Sequence, residues 1–325
     1  MVGGVWPSSK PRFPFPRTRS KLRPMTPDRP FAGIMLMLAF CVLAPLGDGI
    51  AKILGDSVAL GLLLLVRFGI QAVILVPLVL ATGSSLRLPP GLLGWTLLRT
   101  LLHGLGIWLM FASLRYLPLA DALAIAFVMP FIMLILGHFF MGEEVGLQRM
   151  GACAVGFAGT LLVIQPNFLE VGAPALLPLG VAVIFALFMM VTRRLARQIG
   201  PVPLQAISGL QATVILLPVL LIWPQGDARV LTDMHVGLLL LALGTIGTLA
   251  HLCMTWSLRF APASTLAPMQ YLEIPFGTLI GWLIFADLPN GLAALGICIT
   301  VAAGLYVIAR ERRLSRPASD APAAV

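Results

Sequence analysis

Charged side chains are scarce in this chain. Asp, Glu, Lys and Arg make up 11% of its 325 residues, whereas 59% of the residues are hydrophobic. Soluble domains carry about 25% charged residues. A soluble fold of this length could therefore not cover its apolar surface with groups that water solvates. The composition excludes an ordinary soluble enzyme or binding module and predicts a protein surrounded by lipid.

The motifs of several common chemistries are also missing. The four cysteines lie singly in apolar segments, which excludes a disulfide framework and a thiolate metal site. The four histidines form no metal-binding pair, and neither a GxxxxGK[ST] loop nor a GxSxG elbow occurs. We therefore expect no metal, no cofactor and no catalytic centre. The basic residues lack interleaved aromatic residues, which argues against nucleic acid as a partner.

Ten apolar runs are present instead, each near the ~20 residues that a helix needs to cross the membrane. The alternating pattern of a membrane barrel is absent, so we predict an all-α membrane protein with ten transmembrane helices. The predicted spans are Phe31–Leu54, Val58–Ala81, Leu92–Ser113, Leu119–Met141, Leu147–Ile164, Ala173–Thr192, Pro203–Trp223, Val236–Ser257, Ala263–Ala286 and Leu292–Ala309.

The runs form two related halves. The hexad SLRYLP at Ser113–Pro118 returns as SLRFAP at Ser257–Pro262, an offset of 144 in residue number. An offset of 141 pairs Lys52 with Arg193 in the earlier part of each half. Such an internal repeat sets the architecture of a chain. Because each half holds five spans, an odd number, the second half should be inverted in the membrane, as in many secondary transporters.

The basic residues predict the orientation. With a cytoplasmic N-terminus, the outer side receives only Lys52, Arg115 and Arg229, and the remaining Lys and Arg lie inside or within spans. The positive-inside rule then places both termini in the cytoplasm of a bacterium, with the spans in its inner membrane. The predicted organisation is a disordered tail over 1–30 (with Met25 as an alternative start), five-helix repeats over 31–166 and 173–310, and a tail over 311–325.

Three ionisable residues fall at the same depth in different spans. Arg67 lies ~14 Å from the outer end of its span, His103 ~16 Å from the inner end of its span and Glu273 ~15 Å from the start of its span, at ~1.5 Å per residue. Charges within a membrane are costly and mark functional sites, so we expect a polar site for a charged or zwitterionic solute. Alternatively, Arg67 and Glu273 pair and join the halves. Glu273 could also carry a coupling proton.

Further candidates surround these three residues. Arg99 lies one turn from His103 and could either guide an anionic group or extend to the lipid headgroups. Trp108 could stack on a planar ligand. Other polar side chains could bind a ligand or be satisfied within the protein: Gln71, Gln270, Tyr271 and His251.

Two sets of residues suggest gating or helix breaks. Asp48 and Lys52 have the i,i+4 spacing of an intrahelical ion pair, near the predicted outer end of the first span. They form either a gate or a surface pair. Asp287 ends the ninth span as a candidate helix-end or gating carboxylate. Prolines that should break spans four and nine are Pro130, Pro268 and Pro275.

Two segments resemble a known family. Leu117–Pro166 and Ala267–Pro289 resemble the matching parts of the two EamA repeats in the drug/metabolite transporter superfamily, and the resemblance covers about residues 31 to 310. It implies two inverted five-helix repeats around a central cavity, and transport of small organic solutes. DGIAK around Asp48 and Lys52, Arg67, and QYLEI around Glu273 resemble the S-adenosylmethionine and riboflavin transporter branches.

The residues together predict a secondary transporter and not an enzyme. It would move a small organic metabolite that is amino-acid-like, nucleoside-like or vitamin-like, by alternating access. The partners would be this solute and the bilayer, with proton coupling and a homodimer left open. The alternatives are a passive channel or a membrane-embedded lipid-modifying enzyme, and the second would need a nucleophile or metal cluster that the sequence does not show.

Overall fold

A computed structural model describes residues 29–141, 146–164, 173–224, 232–286 and 291–314, and these residues form helices joined by turns. The predicted tails lie outside the described residues, apart from the few that adjoin the first and last helix. Asp287 also lies outside them. The described helices are α1 Pro30–Gly55, α2 Leu60–Ala81, α3 Leu93–Ser113, α4 Leu119–Ala126, α5 Met129–Met141, α6 Leu147–Ile164, α7 Leu176–Ala196, α8 Pro201–Ile222, α9 Met234–Phe260, α10 Ala263–Gln270, α11 Glu273–Phe285 and α12 Gly291–Leu314.

Six helices are long and apolar enough to cross a membrane: α1, α2, α3, α7, α8 and α9. Shorter apolar stretches occur within α5, α6 and α12. Large apolar side chains cover the outside of the bundle, as at Val73 and Leu221, which are 74% and 73% exposed. Such a surface is compatible with acyl chains and not with water. The chain is therefore a multi-pass, all-helical membrane protein.

Two of the predicted spans are broken beside a proline, as expected for Pro130 and Pro275, whereas Pro268 lies inside α10 and does not end it. The fourth span consists of α4 and α5, which are separated just before Pro130. The ninth consists of α10 and α11, which are separated just before Pro275. A proline lacks the N–H that would bond the preceding turn, and its ring clashes with the carbonyl four residues back. Both breaks leave short helices whose ends lie inside the bundle.

The helix bounds repeat along the chain. Helices α2 and α8 are related at both ends by the same offset that pairs Lys52 with Arg193. Helices α4 and α10, and likewise α5 and α11, are related at both ends by the offset of the two hexads. The two halves therefore share the same order of long, long, long, broken and long helices.

A pair of equivalent hydrogen bonds supports the same correspondence. Lys52 at the end of α1 donates to the carbonyl of Leu117, 3.3 Å away. Arg193 at the end of α7 donates to the carbonyl of Ala261 and, at 2.8 Å, to that of Leu258. Leu117 and Ala261 are the fifth residues of the two repeated hexads. In each half, a basic residue thus ties the first helix to the turn after the third.

The two halves pack against each other through equivalent pairs of helices. Helix α1 packs mainly on α9 and α3 on α7, while α2 pairs with α8 and α6 with α12. This pattern is that of a two-fold axis relating the repeats. Glycines permit the closest approaches: a Cβ on Gly209 of α8 would lie 3.0 Å from the backbone N of Ala72, and one on Gly159 of α6 would lie 2.8 Å from the carbonyl O of Gly296.

The bundle has two ends: we call the end that holds the start of α1 the proximal end, and the end that holds the turn between α1 and α2 the distal end. At the proximal end the backbone N–H of Arg29 donates to the carbonyl of Phe260 at 2.8 Å, and Gly33 lies directly against Ala261. These contacts close α1 onto the end of α9.

Candidate functional site

A cavity lies inside the bundle where the two halves meet. Its lining residues surround about 730 Å³ of space not filled by protein atoms, open space at its mouth included. Its wall on α1 runs from Phe40 to Asp48, and its wall on α3 runs from Ile107 to Phe111. These residues belong to the middle and the distal part of their helices. The cavity therefore extends from mid-depth toward the distal end.

Arg67 reaches this cavity from α2 and is buried, with 4% of its surface exposed. Its Nη2 donates to Nδ1 of His251 at 3.0 Å. A Cβ on Gly247 would lie 2.8 Å from the Arg67 Nε, so the guanidinium rests directly against the backbone of α9. Its Nη1 has no hydrogen-bond partner among the described residues. One donor face of the guanidinium is thus fixed and the other is free for a ligand.

His251 shares the cavity wall with Arg67. An arginine can only donate hydrogen bonds, so the contact assigns Nδ1 as acceptor and places the ring proton on Nε2. The other tautomer would instead donate from Nδ1 to the carbonyl of Gly247, 3.1 Å away. The Nε2 atom is buried and has no partner within the described part of the chain. It offers a second unused polar atom beside the cavity.

Two carboxylates face the same cavity. Asp48 enters from α1, and Glu273 is the first residue of α11, immediately after the break in the ninth span. Asp48 lies near enough to interact electrostatically with both Arg67 and Glu273. The Oε1 of Glu273 is buried and accepts no hydrogen bond from any described residue. The structure therefore brings Arg67, Glu273 and Asp48 together around one cavity.

His103 lies beside this cavity in a group of rings that we call the aromatic layer, formed by His103, Phe188, His251 and Phe68. Its ring stacks on Phe188 with centroids 4.5 Å apart, meets His251 at 4.4 Å and meets Phe68 edge-on at 5.1 Å. Both ring nitrogens are buried without a partner among the residues that the structure describes. His103 thus contacts the site through His251 and is not itself a lining residue.

Arg99 lies on the proximal side of the aromatic layer. It is fully buried, and its guanidinium contacts Phe188 at 4.9 Å from the ring centroid. It donates to the hydroxyls of Thr192, Ser208 and Thr255, at 2.9, 2.5 and 3.5 Å. It therefore points into the bundle and does not extend to the headgroups.

The predicted amide and phenol groups are buried away from the cavity wall. Gln71 donates to the carbonyl of Gln205 at 2.7 Å and joins α2 to α8. Gln270 lies 3.0 Å from the sulfur of Met189. Tyr271 packs against Gly156, where an added Cβ would meet its ring at 2.6 Å. Their contacts are interhelical, within the described residues.

Trp108 and Lys52 also lie outside the cavity wall. Trp108 is 41% exposed and lines a shallow apolar groove on the outside of α2, α3 and α8. Lys52 contacts the ring of Phe285 at 4.9 Å, besides its bond to Leu117. Asp48 faces the cavity, whereas Lys52 is engaged by other elements, so these two residues have different surroundings.

Two members of the site were underrated from the sequence. Asp48 was expected near the outer end as a gate or surface pair, but it lines the central cavity. His251 was one of several polar candidates, but it holds Arg67. The sequence does contain a clue for His251: Gly247 lies one turn earlier on the same face of α9 and leaves room for a large side chain from another helix.

The family model named EamA-like transporter family matches residues 31–165 and 173–310. The chain belongs to this family. The two matched segments coincide with the two halves of the fold, so the resemblance seen in the sequence is confirmed. This EamA protein is accordingly a membrane transport protein, and its family points away from catalysis.

Several named relatives are bacterial transporters. A riboflavin transporter of Vibrio cholerae is 28% identical over 259 residues, which is 78% of this chain and 84% of that protein. A riboflavin transporter of Rhizobium johnstonii is 31% identical over 68% of this chain and 72% of its own length. An S-adenosylmethionine uptake transporter of Rickettsia felis is 25% identical over 86% and 94%, respectively.

A solved crystal structure also resembles the EamA protein. It superimposes with a TM-score of 0.67 over 88% of this chain and 98% of the other, at 21% sequence identity. At this identity the likeness concerns the fold alone. It supports the helical arrangement that positions the cavity between the halves.

Proposed function

We propose that this protein is a secondary carrier that moves a small organic metabolite across a bacterial inner membrane by alternating access. The ten predicted spans correspond to α1, α2, α3, α4 with α5, α6, α7, α8, α9, α10 with α11, and α12. Five spans per half require an inverted second repeat. With the basic residues inside, the proximal end is cytoplasmic and the distal end faces outward. The cavity would then lie in the outward-facing half of the bundle.

The observation that carries the proposal is a set of unused polar atoms around a buried cavity. Nη1 of Arg67, Nε2 of His251 and Oε1 of Glu273 are buried, and none has a hydrogen-bond partner among the described residues. Buried polar groups are normally paired, and leaving one unpaired costs about 1–3 kcal/mol. A solute that pairs with them recovers this cost, which is the arrangement expected of a binding site.

The charges indicate the chemistry of the solute. Arg67 supplies a positive group, and Asp48 and Glu273 supply carboxylates on the same cavity. Phe40, Phe111, Phe127 and Phe185 complete an apolar and aromatic wall. Such a site suits a metabolite that has a flat ring together with charged or hydrogen-bonding groups. S-adenosylmethionine and riboflavin, the solutes named for the relatives, are therefore suitable probes.

The test is uptake of these two labelled solutes into proteoliposomes. A carrier should give saturable uptake and counterflow of labelled solute, whereas a channel should give neither. Arg67→Ala and Glu273→Gln should each reduce saturable uptake at least tenfold, because each removes a ligand-pairing group. The exposed residues Arg87 and Asp56 provide matched controls as Arg87→Ala and Asp56→Asn, which should transport normally.

Two results would contradict the proposal. Uptake that rises linearly with concentration, without counterflow, would indicate a channel. Saturable uptake that survives both Arg67→Ala and Glu273→Gln would place the site elsewhere.

The same vesicles with an imposed pH gradient test proton coupling at Glu273. The gradient should accelerate uptake in the parent protein and have no effect in Glu273→Gln.

A further inference from the structure

The proximal half of the bundle contains a buried cation with neutral partners. Arg99 is fully buried, and the three side chains to which it donates are the hydroxyls of Thr192, Ser208 and Thr255. A charge placed in a low-dielectric interior normally has an opposite charge beside it. Here dipoles from three further helices, α7, α8 and α9, take that place. This is an expensive arrangement if its only purpose is to hold helices together.

The hydroxyl network around Arg99 is continuous. Thr100 donates to Gln211 at 2.7 Å and lies 3.0 Å from the Ser208 hydroxyl. Gln205 donates to Thr255 at 3.1 Å. Every one of these polar groups lies between the aromatic layer and the proximal end. The network therefore fills the space that, at the distal end, is occupied by the cavity.

The aromatic layer separates the two regions. Phe188 has its ring stacked on His103 and also lies against the Arg99 guanidinium, and His103 in turn contacts His251 of the cavity wall. A single line of rings thus runs from the cavity to Arg99. These rings therefore stand between a solute in the cavity and Arg99. His103 and Arg99 lie one turn apart on α3, so no other turn of that helix comes between them.

The internal repeat relates the Arg99 network to the cavity. When the offsets of the helix bounds and of the repeated hexads are applied, residues of the network and of the aromatic layer correspond to residues of the other half that line the cavity. Examples are Ser208 with Arg67, Thr255 with Phe111, and Arg99 with Leu243. An inverted repeat uses equivalent positions at opposite ends of the bundle. The Arg99 network is therefore the closed counterpart of the distal cavity.

We propose that Arg99, together with Thr192, Ser208 and Thr255, forms a second binding site, for a carboxylate or phosphate group of the transported solute. The inference rests on the proposed carrier function, because the site is filled when the proximal half opens. A guanidinium flanked by hydroxyl donors matches the two oxygens of such a group. The solute would pass from Arg67 to Arg99 and so would carry at least one anionic group, which S-adenosylmethionine has and riboflavin lacks.

The experiment places a thiol at the proposed site and compares two reagents. In a background with the four native cysteines replaced by alanine, Thr255→Cys introduces the thiol, and Ala44→Cys provides the control in the distal cavity wall. The full-length protein in detergent is labelled with an anionic reagent, sulfonatoethyl methanethiosulfonate, and with a cationic one, trimethylammonioethyl methanethiosulfonate. The ratio of the two rates cancels the intrinsic reactivity of the thiol and reports the local charge.

The expected result is a ratio that depends on Arg99. At Thr255→Cys the ratio of the anionic to the cationic labelling rate should be about ten times the ratio measured with a free thiol. This factor is the Coulomb effect that a unit positive charge ~6 Å away has on two reagents of opposite sign. Arg99→Gln should remove this preference, and Arg99→Lys should keep it. At Ala44→Cys neither Arg99 substitution should change the ratio, since the aromatic layer separates that position from Arg99.

Three outcomes would overturn the second site. Thr255→Cys that stays unlabelled while Ala44→Cys reacts would make the network a permanent structural seal. A ratio equal to that of a free thiol would show that Arg99 attracts no anion, and this comparison needs no Arg99 variant that must fold. A ratio unaffected by Arg99→Gln would do the same. Failure of the carrier function is separate, because it would appear as unsaturable uptake in vesicles with labelling intact.

Discussion

The contact between Gly247 and Arg67 gives a sharp test of the candidate site. Gly247→Ala adds a single methyl group, whose carbon would lie 2.8 Å from the Nε of Arg67 and 3.0 Å from its Cζ and Nη2. The contacted atoms are the far end of a flexible side chain and not backbone. The guanidinium can therefore shift into the cavity without disturbing the helices. We expect a change in ligand binding with little change in folding.

The size of the effect follows from the bond that is lost. A hydrogen bond to a charged group contributes about 1.5–3 kcal/mol, and Arg67 would lose its 3.0 Å contact with His251. A loss of about 1.4 kcal/mol raises Kd by a factor of ten. If the fixed guanidinium is what the solute meets, affinity should fall at least tenfold. The helix itself gains up to about 1 kcal/mol from replacing glycine by alanine, which offsets part of the steric cost.

Gly237→Ala is the matched control on the same helix. Nothing lies within 4 Å of the Cβ that it would add, so it changes helix propensity in α9 without touching the site. Both variants and the parent should be compared by Kd for the probe solute in detergent and by melting temperature without solute. The expected pattern is weaker binding in Gly247→Ala alone, with melting temperatures of the two variants similar.

An unchanged Kd in Gly247→Ala would refute the reasoning if Arg67→Ala still abolishes binding. That combination would mean that Arg67 binds solute from a position that His251 and Gly247 do not determine. A lower melting temperature with unchanged Kd would instead show that Arg67 serves packing at this point.

Two further predictions concern other parts of the bundle. Gly209→Leu should lower the free energy of unfolding by about 3 kcal/mol or more, because its Cβ would meet the backbone of Ala72 at 3.0 Å. The yield of monodisperse protein should therefore fall sharply. Gly69→Leu is the control and should purify normally, because nothing lies within 4 Å of the Cβ it would add. Trp108→Ala should transport at the parent rate, because Trp108 lines an outer groove and not the cavity; a loss above threefold in uptake would place a functional site there.

The level of a residue along its helix was predictable from the sequence, because it depends only on helix rise. Counting residues predicted that Arg67 and Glu273 lie at one level, and both residues line one cavity. Pro130 and Pro275 likewise predicted the breaks in spans four and nine, since the chemistry of a missing N–H is local, but Pro268 does not end α10. The family resemblance was predictable because it depends on both halves together.

The direction in which a side chain points around its helix was harder to predict. In a helix that is apolar on every side, no polar face distinguishes protein from lipid. Trp108 follows His103 by five residues, which is about 140° around the axis at about 100° per residue, and it faces the outside. Asp48 lies on the inner face of α1, although its spacing with Lys52 suggested a surface pair. Both outcomes depend on packing between helices.

What the two halves share is mostly backbone, and where they differ is mostly side chain. The shared features are helix bounds, broken spans and the basic residues that bind turn carbonyls. In the proposed carrier the matching backbone favours neither end, so the balance between its two states depends on the side chains. The side chains differ between the two ends: Arg99 is hydrogen-bonded in the proximal half, while polar atoms of Arg67 and Glu273 beside the distal cavity have no partner among the described residues. A solute can shift that balance only by binding the two states unequally. In the proposed cycle it does so by meeting the unpaired groups of Arg67 and Glu273 first and the hydroxyl-bound Arg99 second.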